Sequence, residues 1–146
     1  MQQRIVVLGV ALALGACDAT VPMASTADDA AGRRFPAPLA GEAALYVYRA
    51  DRPQPVVFGV TADRLTLGDL APKTWLRADL PPGQYDLRCT GGRETTPSLQ
   101  VDLRPGATRY VELGAEWWRV GCTLREVDAA TAQPAILAGK RVRELR

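Results

Sequence analysis

The chain has 146 residues, of which 47% are hydrophobic and 23% are charged, a composition typical of one globular domain. The net charge of +2 produces no strong field, so no nucleic-acid partner is expected. Histidine is absent, which excludes Ser-His-Asp and Cys-His catalysis and histidine-ligated metals. Three cysteines are too few for a four-cysteine zinc site, so we also expect no metal.

Residues 1–16 are typical of a secretory signal peptide. Arg4 supplies a positive charge, and residues 5–16 form an apolar run that is too short to cross a bilayer, which needs about 20 residues. The run ends in Leu14-Gly15-Ala16-Cys17, which resembles the bacterial lipobox. By that resemblance Cys17 is the acylated first residue of the mature protein. The protein is then membrane-anchored in the cell envelope and faces the periplasm, with the choice between inner and outer membrane left open. The alternative is an ordinary secretory signal with an incidental cysteine.

Residues 17–41 comprise the lipidated cysteine and a stretch rich in Ala, Pro, Asp, Ser and Thr. Neither a strand period nor a helix period is visible in this stretch, and large apolar residues are few. Such a composition is typical of a flexible linker. A flexible chain of this length reaches about 25–30 Å, so the sequence predicts a domain held clear of the membrane surface.

Residues 42–128 show the pattern of short strands separated by turns. The strand-like segments are residues 44–49, 56–61, 65–67, 74–80, 84–89, 98–104, 108–113 and 118–127. Turn signals such as Pro81-Pro82-Gly83 and Pro105-Gly106 separate them. Short strands at this spacing favour an antiparallel sandwich or barrel. We predict an all-β fold, an antiparallel β-sandwich of about 7–8 strands.

Residues 129–146 form a C-terminal segment of different composition. Pro134 suits the first position of a short helix. The basic side chains of this segment are Lys140, Arg141, Arg143 and Arg146. Three interpretations are open: a basic segment that touches anionic lipid, a solvated tail, or a last strand docked on the sheet.

The strand Ala44–Arg49 resembles the opening strand of a bacterial family known as domain of unknown function 2846. The segments 67–70 (LGDL) and 80–85 (LPPGQY) follow in that family's order, and residues 127–131 resemble its last strand and turn. Ala50 departs from the family pattern, which has Pro there, and the turn Asp63-Arg64 lacks the family's Gly. The resemblance implies an envelope-facing β-sandwich, similar also to PEGA-type domains and usually part of a lipoprotein. It implies no activity.

Two cysteines remain once Cys17 is acylated. Strand alternation places Cys89 on the same face as Leu87 and Cys122 on the same face as Leu124, so both point toward the core. In an oxidising compartment this arrangement predicts a Cys89–Cys122 disulfide. Closing a loop of this length stabilises a fold by about 3–4 kcal/mol in the chain-entropy model. The alternative is a pair of buried free thiols.

Tryptophan next to arginine marks the candidate binding surface. Strand alternation turns Trp75 and Arg77 to the face opposite the core, and it turns Trp117 outward beside Arg119. An exposed Trp beside Arg is a common element of sugar stacking and of protein interfaces. In the alternative interpretation, the C-terminal segment or a loop covers this outer face and buries the tryptophan.

No motif in the sequence points to catalysis. The acidic residues are scattered singly, and Gly91-Gly92 lies between strands without the helix that a phosphate-binding loop requires. We therefore expect neither an enzyme nor a cofactor. The sequence favours a non-enzymatic envelope lipoprotein that acts as a binding or scaffolding module for an envelope protein. The alternative function is a peptidoglycan- or polysaccharide-binding module that uses the exposed tryptophans.

Overall fold

The structure, a computed structural model, describes residues 20–50, 54–91, 98–116 and 121–145. Within these ranges the chain forms nine strands in two sheets and two short helices. The two sheets pack face to face, and both helices lie on the outer face of the larger sheet. The predicted all-β sandwich is confirmed.

The elements follow one another from residue 26 to residue 141. In chain order they are α1 (Thr26–Gly32), β1 (Ala43–Arg49), β2 (Phe58–Ala62), β3 (Leu65–Leu70), β4 (Thr74–Leu80), β5 (Gly83–Thr90), β6 (Leu99–Leu103), β7 (Thr108–Glu116), β8 (Gly121–Val127), α2 (Ala129–Ala138) and β9 (Lys140–Arg141). The larger sheet has the strand order β8-β7-β1-β4-β9, and the smaller sheet has the order β3-β2-β5-β6. Strand β1 is therefore central in the larger sheet, as its uninterrupted apolar run indicates.

The larger sheet is mixed, which corrects the prediction of a purely antiparallel sandwich. Strand β1 pairs antiparallel with β4, but β7 pairs with it in parallel, with Ala44 opposite Thr108. Strand β9 also pairs in parallel with β4. Parallel neighbours need a long connection. Here the chain forms the four strands of the smaller sheet between β1 and β7. This long connection lets β7 run in the same direction as β1.

An aliphatic core fills the space between the two sheets. Leu76, Ala78 and Leu80 of β4 point into it, as strand alternation predicts. Cys89 of β5 and Cys122 of β8 form a disulfide across this core, with their Cα atoms 6.2 Å apart. The predicted pairing is confirmed, and it joins one sheet covalently to the other.

The flexible linker predicted over residues 17–41 is wrong for residues 20–41. Ser25 caps α1 by accepting a hydrogen bond from the Asp28 amide at 3.0 Å. Before the helix, Met23 forms a β-bridge with Val142, and the Ala24 amide donates to the Arg141 carbonyl. The segment is ordered by these contacts with distant residues. A period search along the sequence does not detect contacts of that kind.

The C-terminal segment forms α2 and then docks β9 at the edge of the larger sheet. Asp128 caps α2 by accepting a hydrogen bond from the Thr131 amide at 2.8 Å. Pro134 lies inside the helix and not at its first position. The carboxylate cap six residues earlier starts the helix, and the proline removes only the amide that would have donated to the Ala130 carbonyl.

Candidate functional site

Trp75 is fully buried, so its predicted exposure is wrong. Gly32 of α1 lies directly on its ring: a methyl group at Gly32 would come within 2.4 Å of Cη2 of Trp75. Gly139, just after α2, approaches the ring from another side, since a methyl group there would lie 3.4 Å from Cδ1. Strand alternation shows correctly which face Trp75 occupies, but it carries no information about what covers that face.

Arg77 is also buried, with 6% of its surface exposed. Its guanidinium donates to Asp79 Oδ1 at 2.9 Å, to the Ala37 carbonyl at 3.2 Å and to the Tyr46 hydroxyl at 3.3 Å. Burial lowers the pKa of Arg77, but the hydrogen bond to Asp79 and the nearby Tyr46 outweigh it, and the net pKa is raised. The side chain is thus charged and buried, with both Nη atoms hydrogen-bonded and Nε left without a partner among the described residues. Its predicted role at a binding surface is wrong.

Aromatic rings surround these two residues and form what we call the outer aromatic cluster: Phe35, Tyr46, Trp75 and Tyr110. Tyr46 stacks on Tyr110 with ring centroids 5.3 Å apart, and Phe35 lies 5.6 Å from Tyr46. The Tyr46 hydroxyl donates to the Gly32 carbonyl at 3.0 Å. Burial raises the pKa of this hydroxyl, partly offset by Arg77, so it stays a neutral donor. The cluster is a second core.

Arginine side chains tie the two chain ends together over this cluster. Arg33 donates to the carbonyls of Leu137 and Gly139 and pairs with Asp29 at 2.7 Å. Asp29 in turn accepts the Arg141 amide at 2.7 Å. Helix α1 is therefore attached to the segment that follows α2. These contacts explain the burial of Trp75, because the covering layer is held by charged and backbone hydrogen bonds as well as by packing.

Three of the predicted site residues lie outside the described residues. They are Cys17, the predicted lipidation site, and Trp117 with Arg119, the other half of the predicted binding surface. The predictions made for them stay predictions. Cys89 and Cys122 occupy their predicted places in the disulfide.

A cavity at one end of the sandwich is the strongest candidate site in the described part of the chain. It has a volume of about 620 Å³ and lies where the N-terminal segment meets the connection between β3 and β4. Val21, Met23, Ala71, Pro72 and Ala138 give it a largely apolar lining. We call it the lysine cavity, because the charged residues among its described lining are Lys73 and Lys140. Both lysines are exposed, and no described lining residue is acidic.

The backbone holds the two lysines side by side. The Lys140 amide donates to the Lys73 carbonyl at 3.0 Å. Lys73 has a φ of +58°, a left-handed conformation that few side chains other than Asn and Asp adopt readily. A methyl group at Gly139 would come within 2.8 Å of the Lys73 carbonyl oxygen, so this close approach requires glycine. Both ammonium groups are thus carried on constrained backbone at the same rim.

One signal in the sequence could have identified this site. Lys73 and Lys140 are the two lysines of a chain whose other basic residues are arginines. Along the sequence, Lys140 belongs to the basic C-terminal segment, for which a last strand docked on the sheet is one of three interpretations, and no pattern marks Lys73. The pairing depends on β9 docking beside the first residue of β4, where Thr74 lies opposite Lys140. That contact joins residues more than sixty positions apart, and no local pattern predicts it.

The lysine cavity brings together apolar side chains and two ammonium groups. Among the described residues, no group of three or more His, Cys, Asp or Glu side chains could hold a metal ion. In the same ranges, no helix is long and apolar enough to cross a membrane. Ion pairs such as Arg104 with Asp102 are exposed and contribute little to stability. The lysine cavity combines an apolar lining with positive charge, which suits a ligand that is anionic and partly apolar.

Comparisons of the chain with family models, with curated proteins and with solved structures find no match. The resemblance to domain of unknown function 2846 stays a prediction. What supports a function is therefore the arrangement of this chain's own residues: a sandwich closed by a disulfide, an outer face covered by both chain ends, and a basic, apolar cavity beside Thr20.

Proposed function

We propose that this chain is a lipid-anchored protein of the cell envelope whose folded domain is a non-enzymatic binding or scaffolding module held close to the membrane. The observation that carries the proposal is the distance along the chain between the lipobox cysteine and the fold. Cys17 precedes Thr20, a lining residue of the lysine cavity, by three residues. Three residues span at most about 11 Å.

The fold holds the chain firmly from Pro22 onward. The Arg143 amide donates to the Pro22 carbonyl at 2.8 Å, and the Ala24 amide donates to the Arg141 carbonyl at 3.0 Å. The long spacer that the sequence predicts is therefore replaced by a short one. A module anchored in this way searches a thin layer at the membrane and presents a restricted set of orientations, which raises its effective concentration for partners in that layer.

The disulfide supports placement in the envelope. Cys89 and Cys122 are close enough to bond, and structural disulfides persist in oxidising compartments such as the periplasm. A lipobox cysteine and a disulfide are independent features of the chain, and both favour export. One acyl chain alone holds a protein only marginally at a membrane, so stable attachment needs the two or three chains that lipoproteins of this kind carry.

The buried polar side chains support a structural module. Arg49, Thr74 and Arg77 are the buried polar side chains among the described residues. Each donates to a backbone carbonyl: Arg49 to those of Gln54 and Val56, Thr74 to that of Ala71, and Arg77 to that of Ala37. Side chains used in this way fix loops, which is what a scaffold requires. The alternative of polysaccharide binding through two tryptophans loses Trp75, which is buried.

The anchor is tested by Cys17→Ser in a bacterial host. We expect the unaltered protein to float with membranes, incorporate labelled palmitate and lose the mass of residues 1–16. Cys17→Ser should remain an unprocessed precursor or appear in the soluble periplasmic fraction. Cys122→Ser is the matched control, because it removes a different cysteine and should still be acylated. Unchanged fractionation, mass and labelling of Cys17→Ser would contradict the anchor.

The binding role is tested separately with the anchored protein. Crosslinking in intact cells, followed by sedimentation on purified murein, compares the two classes of partner. The proposal expects crosslinks to envelope proteins. Enrichment on murein without protein crosslinks would instead support the polysaccharide alternative.

A further inference from the structure

We propose that helix α1 is a lid over Trp75 that opens and closes while the sandwich stays folded. The lid comprises residues 25–34, the stretch between the β-bridge at Met23 and the ring of Phe35. The inference goes beyond the proposed function, because it concerns access to the outer aromatic cluster and depends neither on the anchor nor on a partner. Burial of Trp75 is then a property of the closed state.

The first support is that α1 contributes few apolar side chains to the molecule. Its sequence is TADDAAG, and Gly32 is its one buried residue. Helix α2 differs, since Ala132 and Ile136 are fully buried in the outer aromatic cluster. Packing of apolar side chains is the main source of helix stability in a folded protein. Helix α1 therefore lacks most of the contribution that holds α2 in place.

The second support is that polar contacts hold the lid closed. Asp29 accepts the Arg141 amide at 2.7 Å, and Arg33 donates to the carbonyls of Leu137 and Gly139. The Arg33 and Asp29 side chains are 29% and 23% exposed, so water can replace these contacts when they break. Exchange of a protein partner for water makes the net contribution of such a bond small. The lid can therefore detach without a large loss of stability.

The third support is that both ends of the lid are fixed to the rest of the domain. On the N-terminal side, the Ala24 amide donates to the Arg141 carbonyl at 3.0 Å. On the C-terminal side, the Phe35 ring lies 5.6 Å from the Tyr46 ring. Phe35 has a φ of +49°, a left-handed conformation at which the chain turns from the lid toward the cluster. A segment fixed at both ends opens as a local unit.

Opening of the lid uncovers one edge of the Trp75 ring. Gly32 lies against this edge, because a methyl group on it would come within 2.4 Å of Cη2 and 2.9 Å of Cζ3. The Tyr46 hydroxyl, which donates to the Gly32 carbonyl in the closed state, is released beside the same ring. Helix α1 therefore controls whether solvent reaches an aromatic edge with a hydroxyl next to it.

Gly32→Ala is the variant that holds the lid open. The added methyl group meets the Trp75 ring when the lid is closed, whereas alanine favours the helix itself. Gly83→Ala is the matched control, since a methyl group there makes an ordinary contact of 3.8 Å with Tyr85. Both variants and the unaltered protein are studied as full-length chains.

Hydrogen exchange, resolved to single amides by fragmentation in a mass spectrometer, reports the lid at two neighbouring positions. The Arg141 amide donates to Asp29 of the lid, whereas the Val142 amide donates to the Trp75 carbonyl of β4 at 2.8 Å. A lid that opens by itself exposes the Arg141 amide and leaves the Val142 amide protected.

We expect Gly32→Ala to speed exchange at the Arg141 amide about tenfold, the factor that corresponds to a typical overpacking cost. Exchange at Val142 and the urea midpoint should stay as they are in the unaltered protein. Gly83→Ala should change the exchange of neither amide. In the unaltered protein, exchange at Arg141 should depend only weakly on urea below the unfolding transition, because opening of the lid exposes little surface.

Equal acceleration of Arg141 and Val142 in Gly32→Ala, with a lower urea midpoint, would overturn the lid, because α1 would then open only with the whole fold. Unchanged exchange at Arg141 would also overturn it, since the added methyl group would not have displaced α1. If Gly32→Ala does not fold, the urea dependence in the unaltered protein decides. The same steep dependence at Arg141 and Val142 would mean that no separate lid exists.

Discussion

The two faces of the larger sheet are both buried, but by different means. The inner face packs aliphatic side chains against the smaller sheet and is crossed by the Cys89–Cys122 disulfide. The outer face carries the outer aromatic cluster and is covered by α1 and α2, which belong to the two ends of the chain. Strand β1 contributes to both faces and is buried along its whole length.

The difference shows that the burial of the two faces of one sheet depends on two different features of the sequence. The inner face follows from period-two alternation within each strand, which is local. The outer face depends on glycines, arginines and rings far apart in the chain, such as Gly32 against Trp75 and Arg33 against Leu137. A surface that looks open from the strand pattern is thereby converted into a second core.

The largest expected effect comes from Trp75→Ala, which removes the fully buried indole of the outer aromatic cluster. Truncation of a buried Trp typically destabilises a fold by about 3–5 kcal/mol. We expect a loss of this size in the free energy of unfolding, measured by urea titration followed by circular dichroism. Trp75→Phe keeps an aromatic ring and should lose less. A change no larger than that of an exposed side chain would mean that the covering layer does not bury Trp75.

Removal of the disulfide probes the inner face by itself. Cys89→Ala with Cys122→Ala, made in a Cys17→Ser background, should lower the free energy of unfolding by about 3–4 kcal/mol in the chain-entropy model. Before substitution, the Cys17→Ser protein should show no free thiol when denatured without reductant. The ring resonances of Tyr46 and Tyr110 should shift little, because the outer aromatic cluster lies on the other face of the sheet. Two titratable thiols in periplasm-derived protein would contradict the disulfide.

The inner face was accessible from the sequence, and the outer face was not. Leu76, Ala78, Cys89 and Cys122 were placed correctly, because alternation in a strand fixes which side chains share a face. The same rule correctly predicts that Trp75 points away from this core. It does not predict which residues cover Trp75. Small residues around α1 resemble a linker in composition, yet Gly32 is small because Trp75 lies against it.

The candidate site was missed for a related physical reason. Thr20, Lys73 and Lys140 come from three distant parts of the chain and meet only after β9 has docked beside β4. Sequence periodicity reports what neighbours within one element share. It does not report a contact made by the backbone carbonyl of Lys73 with the amide of Lys140.

The smallest expected effect concerns the N-terminal cap of α2, which holds Ala132 and Ile136 against the outer aromatic cluster. Hydrogen bonds from the side chain and the backbone of Thr131 lower the pKa of the Asp128 carboxyl. A pKa that is lower in the folded than in the unfolded state means that the ionised cap stabilises the fold above the unfolded value of about 3.9. This contribution is lost as the pH falls through the folded pKa.

The Thr131 amide resonance should therefore titrate with a midpoint below about 3.9 in a nuclear magnetic resonance pH series. In Asp128→Asn the amide oxygen still accepts the Thr131 hydrogen bond, so that titration should disappear while α2 remains. Asp86 also has a lowered pKa, because Ser98 and Arg88 hydrogen-bond to it, but it lies on β5 of the smaller sheet. Asp86→Asn should leave the Thr131 titration unchanged. A Thr131 midpoint at or above the unfolded value would show that the cap does not form, and α2 would then be held on the outer face by its packing alone.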